Sequence, residues 1–258
     1  MGQLKLEIMD NKLIRIFIKL NLLMSGILMT TSLHSQDKPV VDKISTSAGE
    51  VDLYFIGHAS LVFSLNNYFI YIDPVRSSGS YNNLPKGDLI LVTHEHGDHL
   101  DTALVSTLRK NGTILICNAM SARNISWARV MKPGDSNHIN GITIEAVQAY
   151  NIKNVRPDGQ PYHPKDNGNG YILTIGDKKF YIAGDTENTP EMKALKNIDV
   201  AFLPMNLPYT MTPEMVADAA RAFKPKILYP YHYGSTNTNE IINLLKDSGI
   251  EVRIRNLK

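Results

Sequence analysis

Three histidines and one aspartate fall within six positions of this chain: His94, His96, Asp98 and His99, in the run Thr93-His94-Glu95-His96-Gly97-Asp98-His99-Leu100. Imidazole nitrogen and carboxylate oxygen together suit zinc, iron or manganese. The two-residue step from His94 to His96 puts both rings on one side of an extended segment. Gly97 lets the backbone turn sharply after them. Asp98 and His99 then follow where a helix can begin. Four donor positions packed this tightly arise by chance in about one chain per thousand. Structural zinc sites lean on cysteine and close at four ligands, whereas this chain has 1 cysteine, Cys117, inside an apolar stretch. The cluster therefore points to a reactive metal site rather than a structural one.

The elements around the cluster show how it is held. Ile90, Leu91 and Val92 form a short apolar block after the turn signal Lys86-Gly87-Asp88, which reads as a buried strand that stops at the cluster. The same event recurs twice. A strand over Lys179–Ala183 runs into Gly184-Asp185-Thr186, and one over Ile227–Tyr229 runs into Pro230-Tyr231-His232-Tyr233-Gly234. Donors just past strand ends, around one rim, are how sheet proteins build sites on a rigid scaffold.

Further strands are expected at Val51–Ile56, Leu61–Leu65, Tyr68–Ile72, Thr113–Cys117, Ile142–Val147, Tyr171–Ile175 and Val200–Leu203, with Asn66-Asn67 as a hairpin turn. A last one lies around Val252 and Ile254. Helices are expected over Asp101–Lys110, Met192–Lys196 and Ile241–Lys246, and one is opened by Thr212-Pro213. Asp73, before Pro74, reads either as a turn-former or as a carboxylate that orients a metal-binding histidine. From Asn151 to Gly170 there is no periodicity. An irregular stretch this long inside a compact domain is often functional, and it carries Tyr162-His163-Pro164-Lys165.

The chain of 258 residues is 43% hydrophobic and 20% charged, ordinary for a globular protein. Its formal net charge is +2, and four basic against two acidic side chains in the first 35 residues account for it. The remainder is formally neutral, which leaves no electrostatic footprint for nucleic acid. Lys12, Arg15 and Lys19 precede an apolar run from Leu20 to Met29 and then small polar residues. Residues 1–35 thus read as a signal peptide for export to the periplasm or beyond. The apolar run is too short and interrupted for a stable membrane anchor. Residues 36–50 read as a polar linker and 51–258 as one domain. The single cysteine allows no internal disulfide.

The motif His94-x-His96-x-Asp98-His99 at the end of a hydrophobic strand resembles the signature of the metallo-β-lactamase superfamily. Gly57-His58-Ala59-Ser60, Thr210-Met211-Thr212-Pro213-Glu214 and His232-Tyr233-Gly234 are similar to its UlaG-like branch. The resemblance implies an α/β fold, a four-layer αββα sandwich, and two divalent metal ions, zinc first with manganese or iron as alternatives. It implies that His94 and His96 bind one metal, that Asp98, His99 and His232 bind the other, and that Asp185 bridges them. Many relatives place a further histidine where this chain has Tyr150-Asn151. His163 is the substitute that some UlaG-like members suggest, with Asn151 or an open position as the alternatives. His58 is expected near the site without being a ligand.

The implied activity is hydrolysis of an ester-type bond in a small molecule, a phosphodiester or a lactone, by a hydroxide shared between the metals. Asp98 would direct that hydroxide, and His232 or Tyr209 would assist the leaving group. Asn206-Leu207-Pro208 stands where relatives often have glycines, so the branch's own substrates do not transfer. The alternative is a metal- or ligand-binding module that kept the fold without turnover. A di-iron redox enzyme is disfavoured, because the relatives with that chemistry carry a carboxylate in the metal turn and a separate flavin domain.

Overall fold

The computed structural model describes residues 41–258. The signal-peptide reading of residues 1–35 lies outside the described residues. The strands alternate strictly in which way they face. In β4 (Tyr68–Ile72) and β5 (Leu89–Leu91), Ile70, Ile72, Leu89 and Leu91 enter one hydrophobic core, while Phe69, Tyr71 and Ile90 enter another. A strand with apolar residues on both faces must be covered on both sides, and that requirement sets the layering.

Seven strands make the first sheet in chain order: β1 (Val41–Thr46), β2 (Gly49–Gly57), β3 (Ser60–Leu65), β4, β5, β6 (Ile114–Cys117) and β7 (Arg129–Val130). The second half of the chain makes the other sheet: β8 (Ser136–Ile139), β9 (Ile142–Ala149), β10 (Gly168–Ile175), β11 (Lys178–Ile182), β12 (Val200–Pro204), β13 (Ile227–Tyr231) and β14 (Glu251–Val252). Aromatic rings knit the two inner faces together: Phe63 lies 5.5 Å from Phe180 and 5.8 Å from Phe202, and Phe55 lies 5.1 Å from Tyr229. Outside the first sheet, α1 (Thr102–Leu108) buries Leu104, Val105 and Leu108 against Val62, Tyr71, Ile90 and Leu115. The short α2 (Ala119–Ala122) and α3 (Pro190–Lys193) follow. Outside the second sheet lie α4 (Pro213–Phe223), whose Phe223 meets Tyr181 edge to face, and α5 (Thr238–Leu245). The result is the expected αββα sandwich.

The helix starts follow their caps. Asp101 accepts from Leu104 N at 2.8 Å, and Thr212 caps α4 ahead of Pro213. Thr189 starts α3 two residues earlier than expected, and Asn237 starts α5 three residues earlier.

The linker reading of residues 36–50 needs correction. Val41–Thr46 is a strand, paired antiparallel with β2 from Val41↔Tyr54 to Thr46↔Gly49. It looked like linker because it is an edge strand, and edges tolerate polar residues. Ile44 alone is buried, while Asp42 is held by Arg255 through Nη2 at 2.6 Å. The domain therefore begins by residue 41. β13 also runs two residues beyond Tyr229, through Pro230. Beyond Leu228 its β14 side has no partner, so the missing proline N–H breaks no ladder bond. Among the described residues, no helix is long and apolar enough to cross a membrane.

Candidate metal centre

β2, β4 and β5 run parallel to one another in the first sheet, as β9, β11 and β13 do in the second, and a functional residue follows the end of each. These are His58, Asp73, His94, Asn151, Asp185 and His232. Three of them hold left-handed backbone: His58 (φ 51°), Asp73 (φ 43°) and His232 (φ 47°). Non-glycine residues rarely adopt it, and such strain concentrates at functional sites. The His232 N–H donates to His58 O at 3.1 Å, tying the two sheets together at the rim.

The structure brings all seven sequence-predicted donors into one cluster. His94 Nε2 lies 3.1 Å from His96 Nδ1, which lies 3.3 Å from His163 Nε2. Asp185 Oδ2 is 3.3 Å from His163 Nε2 and 3.9 Å from His94 Nε2. On its other side the same oxygen is 3.4 Å from His232 Nε2. Asp98 Oδ2 is 3.5 Å from His232 Nε2 and 4.0 Å from His99 Nε2, and Asp185 Oδ1 is 3.3 Å from His99 Nε2. Donors 2.0–2.1 Å from a tetrahedral zinc stand about 3.3–3.4 Å apart. The separations allow two ligand sets that share Asp185, His94, His96 and His163 on one side and Asp98, His99 and His232 on the other, and they also bring His94, His99 and Asp185 within reach of one ion.

The residues fit a cation for a second reason. His99 Nε2, both His232 ring nitrogens and Asp185 Oδ1 are buried without a hydrogen-bond partner. An unmet buried polar atom costs about 1–3 kcal/mol, and several pointing at one place call for a cation. Charge states agree. Burial opposes a charge on His163 and brings its pKa down to about 4; burial and then His99 push His94 well below the ordinary imidazole range. Burial also opposes ionisation of Asp185, but His232 and His99 hold it well below the carboxylate range. Asp98 is lowered too, since the His232 and His58 rings outweigh its burial. For His99, burial is outweighed by Asp185 and Asp73, which raise it. Lone pairs on His94 and His163 and two carboxylates are what a divalent ion requires.

The orienting residues are equally specific. Asp73 Oδ2 receives His99 Nδ1 at 2.8 Å, and Asp73 itself is fixed by Thr93 N and Thr93 Oγ1, each at 2.7 Å. The orienting reading of Asp73 is thus the one the geometry favours. His163 Nδ1 faces Asn151 Oδ1 at 2.8 Å. The two residues weighed as alternatives are therefore used together, His163 toward the cluster and Asn151 behind it.

His58 comes closer than expected. Its Nε2 is 3.2 Å from Asp98 Oδ2, its ring centroid is 3.8 Å from that of His232, and it groups with Asp98, His99 and His232 as a possible donor. Tyr209 instead stands on the opposite side, its ring 5.1 Å from Tyr162 and its carbonyl taken by Asn151 Nδ2. Sequence reading missed Glu187. It is buried, accepts from Lys153 N and Asn154 N, and so pins the loop that carries His163. Its one signal was an acidic residue two positions after Asp185.

A family model described as a β-lactamase superfamily domain matches residues 52–232. The chain belongs to the metallo-β-lactamase superfamily. Within it, the chain joins proteins named UPF0173 metal-dependent hydrolases. That from Bacillus thuringiensis is 31% identical over 198 residues, 69% of this chain and 84% of the relative. That from Geobacillus thermodenitrificans is 30% identical over 190 residues, with the same coverage. A solved metal-dependent hydrolase from Parabacteroides distasonis is 49% identical with a TM-score of 0.82, over 86% of this chain and 100% of that one. Igni18, a metallo hydrolase from Ignicoccus hospitalis, shares the fold at 24% identity and a TM-score of 0.65, over 80% of this chain and 95% of that one. The metal turn, Asp185 and His232 all fall within the matched span, so the family resemblance seen in the sequence holds for the domain.

Proposed function

We propose that this superfamily member is a binuclear metal-dependent hydrolase that cleaves an ester-type bond in a small molecule. The observation that carries the reading is Asp185 Oδ2, which lies within 3.3–3.9 Å of donors from both ligand sets. A carboxylate shared in this way supports two cations rather than one. Two divalent ions there, zinc first, would supply a hydroxide near neutral pH and stabilise developing negative charge. The protein's part is positional. His94, His96 and His163 hold one side, and Asp98, His99 and His232 the other. Asp73 and Asn151 fix two imidazole orientations. Asp98, half-exposed, accepts a hydrogen bond from the attacking nucleophile and sets its direction. His232 is kept beside the leaving group, as the sequence suggested, and His58, whose ring lies 3.8 Å from it, stands with it as a second candidate. UlaG-like kinship is supported by the Thr210–Glu214 and His232–Gly234 segments. Export is supported by the basic and apolar N-terminal stretch.

Elemental analysis of the full chain, purified without chelator, tests the reading. Two metals per chain are expected, falling to one in His163→Ala, with turnover of bis(4-nitrophenyl) phosphate or a simple lactone by the wild type. No bound metal, or two metals without turnover of any ester, would favour a binding module instead.

A further inference from the structure

Two cavities touch the metal-site residues, and they differ greatly in size. The one beside His94, His96, Tyr162 and His163 offers about 10 Å³. The other, about 370 Å³, opens beside Asp98 and is walled by His58, Ser77, Ser78, Asn256 and Lys258. A substrate of any size therefore meets the metals from the Asp98 side. Apart from Gly57, every wall residue there has a polar side chain. Among the described residues its one side-chain carboxylate, that of Asp98, is already engaged by His58 and His232, and Lys258 O is taken by His58 Nδ1. The side chains of Ser77, Ser78, Asn256 and Lys258 have no partner among the described residues. Two hydroxyls, an amide and an ammonium thus surround one space and offer hydrogen-bond donors with no acceptor committed to them.

This wall is fixed in place. At Gly57 a Cβ would lie 2.1 Å from Ser78 O, and at Gly79 one would lie 2.4 Å from Ile56 O. The Ser77–Ser78 segment therefore packs backbone to backbone on the end of β2, one residue from His58. His58 is anchored as well, through Nδ1 at 3.0 Å from Lys258 O. Rigid placement of donors lowers the ordering cost of binding an acceptor-rich group.

We propose that this cavity is the recognition subsite for an oxyanion carried by the substrate next to the scissile bond, a phosphate ester or a carboxylate. The inference rests on the metal-centre reading and narrows its substrate class to anionic esters. Charge-assisted hydrogen bonds to an ammonium and to hydroxyls are the strong, directional contacts by which such groups are selected. A neutral ester or lactone would leave the ammonium unmatched.

Calorimetric titration of the metal-loaded full chain tests this with matched pairs. Dimethyl phosphate, a monoanion, is compared with neutral trimethyl phosphate, and monomethyl succinate with neutral dimethyl succinate. Metal content is measured on the same samples. We expect at least one anion to bind roughly tenfold tighter than its neutral partner. We expect that preference to shrink about fivefold in Lys258→Ala and further in Ser77→Ala/Lys258→Ala. The pair with the larger ratio names phosphate or carboxylate. Equal binding within both pairs, no binding of any probe, or a preference untouched in the double variant would overturn the subsite. Absence of metal would instead overturn the metal-centre reading, so the two failures are separable.

Discussion

Asn151 Oδ1 accepts from both His163 N, at 2.7 Å, and His163 Nδ1, at 2.8 Å. One amide oxygen thus fixes a backbone group and a ring of the same residue, which leaves Nε2 as the only nitrogen free to face His96 and Asp185. Residues that orient a ligand in this way are worth about 10–100-fold in metal affinity. If the centre is binuclear as proposed, Asn151→Ala should weaken one metal by that amount while leaving two bound at saturation. Competition against a chelating dye measures it. Unchanged affinity would mean that the loop, pinned by Glu187, orients His163 unaided.

Asp98 differs from Asp185 in exposure: its side chain is 51% exposed, against 3% for Asp185. Removing its charge should therefore harm chemistry more than folding. Asp98→Asn should keep its circular dichroism spectrum and lower turnover about a hundredfold or more. Near-normal turnover would remove Asp98 from the role of directing the nucleophile.

The raised proton affinity of His99 has a measurable effect. Asp73 keeps hold of Nδ1–H, so a cation that takes Nε2 must displace the proton there. Metal binding near pH 7 should release about one proton, and affinity should rise with pH. Calorimetry in buffers of different ionisation enthalpy reads the proton directly. In Asp73→Asn, which removes one of the charges that raise His99, the release should fall.

His163 has the opposite sign. Its folded pKa, about 4 through burial, lies below the ordinary value of 6.5, so the unfolded chain binds the extra proton. The stability this contributes is present above about pH 6.5 and is lost as pH falls toward 4. For metal-free protein the His163 share of the loss should approach about 3 kcal/mol, with His94 adding to it in the same direction, visible as a urea midpoint that falls less steeply in His163→Ala. A flat profile from pH 7 to 4.5 would mean that His163 opens to solvent when no metal is bound.

Much of the site was legible because every proposed donor except His163 lies in the turn just past a strand whose apolar pattern is strong. His94, Asp185 and His232 each follow such a run. What was not legible depends on contacts distant in sequence. β1 carries one buried apolar residue, Ile44, and its acidic Asp42 makes sense only beside Arg255, far along the chain. The approach of His58 to Asp98 depends on a left-handed residue after Gly57, which no local pattern announces. His163 stood in an aperiodic stretch, and only Asn151 and Glu187, folded back onto it, turn that stretch into a rigid arm.

The close approach at Gly57 can be separated from its backbone conformation. Gly57 (φ 145°) and Gly112 (φ 86°) both lie in the region that side chains disfavour, but a Cβ at Gly112 meets nothing within 4 Å. Gly112→Ala therefore carries backbone strain alone, about 1 kcal/mol. Gly57→Ala adds a clash of the new Cβ with the backbone oxygen of Ser78, which no rotamer change relieves, and should cost about 3 kcal/mol in all. That corresponds to a Tm drop of about 6–12 °C for a domain of this size. Thermal unfolding of both variants measures the difference. A Gly57→Ala loss no greater than that of Gly112→Ala would mean that the Ser77–Ser78 segment yields easily. The donors around the polar cavity would then be movable rather than preset, and Gly57→Ala should bind anions as well as the wild type does.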